Sequence, residues 1–376
     1  MQRSSQCSDK GVLKTVTASV KQNSTRNFSL DFLKVIATTI ILFHHYQQDG
    51  QVRFVNHPNF FFNPHFDWGL MVELFFILSG FVMYHYCDGR LKEISFSSFM
   101  GRRCMRLLPP MAVAALAYFA LGYVYQQIYQ KPFFFSESVN LWGTVVSALG
   151  LQNGWGLNGW NINNPTWYVS VLLLCYLWMY VMVRLCEKHQ FPFVYACLIM
   201  LLIAFSGVKW PLFGDQAARG YQSFFFGLLL AMFYRHFALN RWLITLCLAV
   251  MGIVLVFIVF APGYTDYRMT FTYLFCPALI LIMHTSPLQK LFRHSFWGRL
   301  SAISYHVYIW HNVLQLLLYT INTPVWTTAN PGMMYLFAIM AWGVGMLSWW
   351  LFEGPVGKRI PKVLCSIFEK RAMGEA

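Results

Sequence analysis

Long apolar stretches recur along the chain with short polar connections between them, and their lengths approach the roughly 20 residues that a helix needs to cross a bilayer. Ten stand out, at about 30–47, 68–86, 107–129, 165–185, 191–207, 219–237, 241–261, 270–284, 300–320 and 332–352. The eighth is short for a full crossing. The third is expected to begin at Pro109 and Pro110, because proline suits the first turn of a helix better than its interior. This pattern predicts an all-α integral membrane protein, a bundle of about ten transmembrane helices. The long connection 130–164 ends in Asn, Gly and Trp residues between Asn153 and Asn164, just before Pro165. Such a mixture predicts an irregular interfacial loop, which either roofs a cavity or lies at headgroup level with no ligand.

Composition agrees with lipid as the solvent. Of 376 residues, 57% are hydrophobic and only 11% charged, where a soluble domain carries about a quarter of its residues as charges. The net charge of +14 would suit nucleic acid only if Lys and Arg clustered on one face with aromatics placed for stacking. They lie between the apolar runs instead, so no nucleic-acid partner is expected. Of the 28 Lys and Arg residues, 22 fall on one side of the ten spans and 5 on the other, with Lys34 inside the first. The positive-inside rule then places both termini in the cytoplasm. Residues 1–29 are polar and lack the apolar core and cleavage site of a signal peptide. They are expected to form a flexible cytoplasmic tail, followed by a membrane domain at 30–355 and a basic cytoplasmic tail at 356–376. The nine Cys form no CxxC pair, several lie inside apolar runs, and no HExxH occurs, so neither a disulfide framework nor a metal site is expected.

An ionisable side chain inside a span costs a few kcal/mol or more and must face protein or water. In the first span, Asp31, Lys34, Thr38 and His45 fall on one narrow stripe at about 100° per residue, with Lys34 and His45 about 16 Å apart in height. Asp31 and Lys34 can pair one turn apart, leaving His45 free to take a proton from a hydroxyl. His44 points about 100° away and is expected to pack or hydrogen-bond structurally. Glu73 in the second span lies at a depth matching His45. It could orient a protonated imidazole there, or pair with a basic residue and hold helices together. Ser79 and Gly80 are small enough to permit close helix approach. Arg103 and Arg106, three apart, lie on one face where guanidinium groups can grip phosphate, or simply anchor the chain at the membrane surface. In the ninth span His311 must meet a polar partner, and Tyr305 is either cavity wall or packing. Glu353, after the tenth, is expected to cap helices or anchor Arg side chains.

Taken together and in order, these motifs resemble the acyltransferase-3 family of membrane O-acyltransferases. The likeness covers roughly residues 27–355. Lys34, a ten-residue gap and His45 match the family's first-helix pattern, and segment 72–81 resembles its second-helix signature with an acidic residue at Glu73. Arg103-Cys-Met-Arg106 resembles its cytoplasmic RxxR motif, and segments 166–170 and 304–311 resemble later blocks. The resemblance implies a multi-pass protein of the cell (inner) membrane, with cytoplasmic acyl-CoA as donor, acetyl-CoA above all, and no permanently bound cofactor. It implies a carbohydrate or glycolipid acceptor at the outer face. His45 would be the essential catalytic residue, assisted by Glu73. Lys34, Arg103 and Arg106 would bind the donor, while Asp31, Ser79, Trp167, Tyr305 and His311 would support the substrate cavity. Lys34 stands where many members have Arg, and Val171, Leu172 and Leu173 follow Ser170 where one branch has acidic residues. With little chain after the tenth span, the membrane module alone is expected. Two rival readings remain from the residues themselves: a transporter or exporter, for which a polar row through a helix is equally apt, and a non-catalytic membrane interaction protein.

Overall fold

The computed structural model describes residues 26–53, 66–87, 90–133, 138–157, 162–260, 267–326 and 331–354. Those residues are almost entirely helical, with no strand among them. The principal helices are α1 (Phe28–Arg53), α2 (Met71–Cys87), α3 (Phe96–Tyr129), α4 (Leu141–Ala148), α5 (Trp167–Lys188) and α6 (Phe193–Phe205). They continue with α7 (Asp215–His236), α8 (Arg241–Phe260), α9 (Cys276–Ile282), α10 (Ser286–Leu291), α11 (Ser295–Trp326) and α12 (Pro331–Phe352). Each of the ten apolar stretches falls on helix. Among the described residues, five helical segments are long and apolar enough to cross a membrane: Phe28–Gln48, Phe96–Tyr129, Asn164–Lys188, Arg241–Phe260 and Gly332–Phe352. The described residues leave out the two terminal stretches 1–25 and 355–376 and part of the connection, 158–161. Expectations about the tails lie outside them.

Three local expectations need correction. Helix α3 begins at Phe96, not at the prolines, and carries Pro109 and Pro110 in its interior. Each proline removes one backbone donor, and α11 supports this stretch: Tyr305 Oη donates to the carbonyl of Leu107 at 2.6 Å. The connection 130–164 is not wholly irregular, because Asn140 caps α4 by accepting from the Gly143 amide at 2.7 Å. The short eighth stretch is a composite of one α-turn, a π-helical segment Phe271–Phe275 and α9.

Two helix groups stand out among the described residues. In one, α2 packs along α7, flanked by α5 and α6; in the other, α11 packs on α12, α1 and α3. The α2–α7 approach depends on two glycines. A Cβ at Gly80 would overlap the carbonyl of Phe224, and one at Gly227 would overlap the carbonyl of Ile77. Small residues letting backbones meet is the usual device where lipid supplies no hydrophobic drive between helices. The expected packing role of Gly80 is thus realised reciprocally, and Ser79 beside it shares a hydrogen bond with the Tyr168 hydroxyl at 3.3 Å. Helix α1 joins the two groups. Leu33, Ala37 and Ile41 enter the core shared with α2, while Leu42, Phe43 and Tyr46 pack on α11 and α12.

Candidate active site

The polar stripe of α1 ends at a pair of histidine rings. His45 stacks on His311 of α11, with ring centroids 5.0 Å apart and planes 29° apart. Each ring is tied at Nδ1. His45 Nδ1 meets Gln48 Oε1 at 3.2 Å, and His311 Nδ1 meets the Tyr308 carbonyl at 2.6 Å. Both acceptors are carbonyl oxygens, so Nδ1 carries the proton in each ring and Nε2 keeps the lone pair. His311 Nε2 is buried without a hydrogen-bond partner among the described residues. Buried polar atoms are rarely left so, and one beside a second imidazole ring is suited to a substrate hydroxyl. Gln315 of α11 donates to the His45 carbonyl at 3.4 Å, which ties the two helices at the same level. His44 turns away as expected, its Nε2 lying 3.8 Å from Asp67, whose other oxygen accepts from Arg268 at 2.8 Å.

Glu73 takes up the second of its two expected roles, pairing with a basic residue. Its carboxylate is gripped by Arg219 of α7 through Nε and Nη2, the latter at 3.0 Å from Oε2. A two-pronged guanidinium matches the two oxygens far better than a single imidazole N–H. The Arg219 guanidinium also lies over the Trp167 ring at 5.2 Å, which places Trp167 of the expected cavity set in this assembly. Arg219 is the one member of this assembly that the polar-stripe pattern does not point to. Its place beside Gly220 at the start of an apolar run was the available signal.

A network of polar side chains fastens the connection before α5. Thr166 Oγ1 donates to Gln152 Oε1 at 2.7 Å, Gln152 Nε2 donates to the Ile162 carbonyl at 2.9 Å, and Asn163 Nδ2 donates to the Ile309 carbonyl of α11 at 2.9 Å. The Tyr308 hydroxyl donates to the Pro165 carbonyl. Since Tyr308 and Ile309 also precede His311 on α11, this loop is bonded to the helix that carries the second histidine. Ser170 Oγ closes the other side, donating to the Asn153 carbonyl at 2.7 Å.

At the other end of the stripe Asp31 pairs with Arg26, at 2.6 Å from Nε, rather than with Lys34. Arg26 reaches it from outside the helix with a fork of donors and also donates to the Gly298 carbonyl at 2.8 Å, whereas Lys34 offers a point charge. Lys34 stays within the fields of Asp31, Arg26 and Arg106. Arg103 and Arg106 do not form one clamp. Arg103 lies against the Phe99 and Tyr176 rings at 5.1 and 5.4 Å. Arg106 instead donates to Glu353 at 3.0 Å, realising the anchoring role expected of that carboxylate. His306 Nδ1 shares a hydrogen bond with Ser348 Oγ at 2.8 Å, and its Nε2 lies 3.6 Å from Glu353. Burial pushes the Glu353 carboxyl up, but His306 and Arg106 outweigh it and hold the group below its ordinary value.

Residues 27–352 match the family model described as an acyltransferase domain, of the acyltransferase-3 type. The chain belongs to the acyltransferase-3 family. No curated protein and no solved structure matches it. The match runs from the residue before α1 to the last residue of α12, so the paired histidines, the Glu73–Arg219 pair and Arg103 and Arg106 all lie inside the acyltransferase-3 domain. Membership identifies a membrane protein of acyl-transfer type.

Proposed function

We propose that the protein is an acyl-CoA-dependent O-acyltransferase that moves an acyl group, acetyl in the simplest case, from cytoplasmic acyl-CoA to a hydroxyl of a surface polysaccharide or lipid-linked glycan at the outer face. The observation that carries this reading is the stacked pair of imidazoles, each with Nδ1 committed to a carbonyl acceptor, with His311 Nε2 buried and unpartnered among the described residues. In the proposed step the acceptor hydroxyl gives its proton to His45 Nε2 while its oxygen attacks the thioester carbonyl. The C–S bond then breaks as the ester forms, and the CoA thiolate takes the proton back from His45 to leave as the thiol. His311 shares the hydroxyl and keeps the His45 ring in place. Glu73 acts through Arg219, fixing the guanidinium over Trp167 at the wall of the site. Arg106 and Lys34 stand at the donor end.

The topology belongs to the same proposal: ten crossings of the cell membrane with both tails cytoplasmic, supported by the 22 to 5 distribution of basic residues. It places the Asp31 end on the donor side and the His45 end on the acceptor side. The test is mass spectrometry of surface glycans from cells with and without the gene, alongside membranes supplied with labelled acetyl-CoA. An ester-linked gain of one acyl group that needs His45 supports transfer. Export of an unmodified glycan, with no label in ester linkage, overturns it and favours a transporter.

A further inference from the structure

Three basic side chains meet around an open cavity of about 550 Å³ at the Asp31 end of α1. Arg26, Lys290 and Arg293 line it together with Asn27, Phe28, Ser286 and Gln289, and no carboxylate is among the lining residues. Lys290 and Arg293 belong to α10 and the turn after it, and both side chains are exposed. Neither has an ion-pair partner among the described residues. Arg26 is fixed in place, with Nε on Asp31 and Nη2 on the Gly298 carbonyl. The absence of a side chain at Gly298 allows this, since a Cβ there would come within 3.1 Å of the Arg26 guanidinium carbon. The segment that carries Arg293 is held against α1 as well: Phe292 stacks on Phe32 of α1 at 4.0 Å, and Trp297 meets Phe32 edge-on at 4.8 Å.

A concave site with three cations, one of them held by two acceptors and two unmatched, suits a ligand carrying several phosphates. Arg103 and Arg106 are engaged with aromatic rings and with Glu353 respectively, so the α10 cavity offers the less committed cations. Coenzyme A carries three phosphate groups on its nucleotide end, and Phe28 at the cavity wall is an apolar face for the base. We infer that Arg26, Lys290 and Arg293 hold the nucleotide phosphates of the acyl-CoA donor, so that its pantetheine arm enters along the α1 stripe past Lys34 towards His45. This rests on acyl-CoA as the donor and adds to that reading a phosphate site outside the RxxR motif.

Binding is measured on the purified full-length chain in nanodiscs of neutral lipid, with coenzyme A, 3′-dephospho-coenzyme A and pantetheine as probes. Lys290→Gln with Arg293→Gln should raise the Kd for coenzyme A by about tenfold or more, less for the dephospho form, and not at all for pantetheine. Gly298→Val, which displaces Arg26, should act in the same direction. Since Lys290 and Arg293 are exposed, their replacement leaves the fold intact even if the valine variant does not insert. An unchanged coenzyme A Kd in the double variant overturns the inference. So does weakened binding of phosphatidylglycerol with unchanged coenzyme A binding, which would make the cluster a lipid anchor. Because the readout is binding, coenzyme A held through these residues in a protein that transfers no acyl group would sustain the site and sink the transferase reading instead.

Discussion

The two ends of the α1 stripe handle charge in opposite ways. At the His45 end two carboxylates of the described residues are matched locally, Glu73 by Arg219 and Asp67 by Arg268, beside the stacked pair of imidazoles. At the Asp31 end Arg26 and Arg106 have carboxylate partners, but Lys290 and Arg293 have none among the described residues. A neutral hydroxyl is best received where no net charge competes for it, and a polyanion where cations are in excess. The difference therefore teaches which substrate suits which end.

The largest expected effect is at the neutral end. His45→Ala should lower transfer by about 10²- to 10⁴-fold, the usual contribution of a positioned base, while His44→Ala, on the Asp67 side, should cost only a few-fold. The check is labelled acyl transfer at matched protein levels in membranes, and equal losses would remove His45 from its role. Next comes the Glu73–Arg219 pair. Glu73→Gln leaves a part-buried guanidinium unmatched, so it should destabilise the protein by about 3 kcal/mol, whereas changing both residues to Met should recover much of that loss. Unfolding of the wild type and these two variants in detergent measures it. Were Glu73 instead to serve His45 directly, Glu73→Gln would cut transfer without this recovery.

The stripe itself, the two small residues of α2 and the helical positions were legible in the sequence because each depends on periodicity or side-chain size along one helix. The partners of the charged residues were not legible. Glu73 and Arg219 are 146 positions apart, and Asp31 takes Arg26 over the nearer Lys34, with Arg26 held by the Gly298 carbonyl as well. His311 could be marked as needing a partner, but that its neighbour would be His45 follows only from how α11 crosses α1. Arg103 and Arg106 show the limit of spacing arguments: three residues apart, they share a face at Cα, yet long side chains diverge to different helices.

Smaller effects are expected at the donor end. Arg106→Lys keeps the charge but loses the guanidinium geometry at Glu353, and should cost about 1 kcal/mol or less because the Arg106 side chain is largely exposed. Its pH dependence gives a second check. The Glu353 carboxyl is held below its ordinary value in the folded protein, so the tie contributes above the ordinary carboxyl range and is lost as pH falls through the depressed value. Thermal unfolding of the wild type should therefore become more acid-sensitive than that of Glu353→Gln below that range. Parallel curves would show that Glu353 contributes nothing through its charge.

The reciprocal glycines of α2 and α7 bear on motion as well as on packing. Two backbones in contact at Gly80 and Gly227 cannot slide past one another without each carbonyl striking the opposing chain, so in mechanical terms the pair is a fixed wall, and Arg219 is bolted to it through Glu73. Helix α11 is seated on α12 in a similar way, since a Cβ at Gly345 would overlap the backbone of Val307, so His311 too rides on a helix held by close backbone contact.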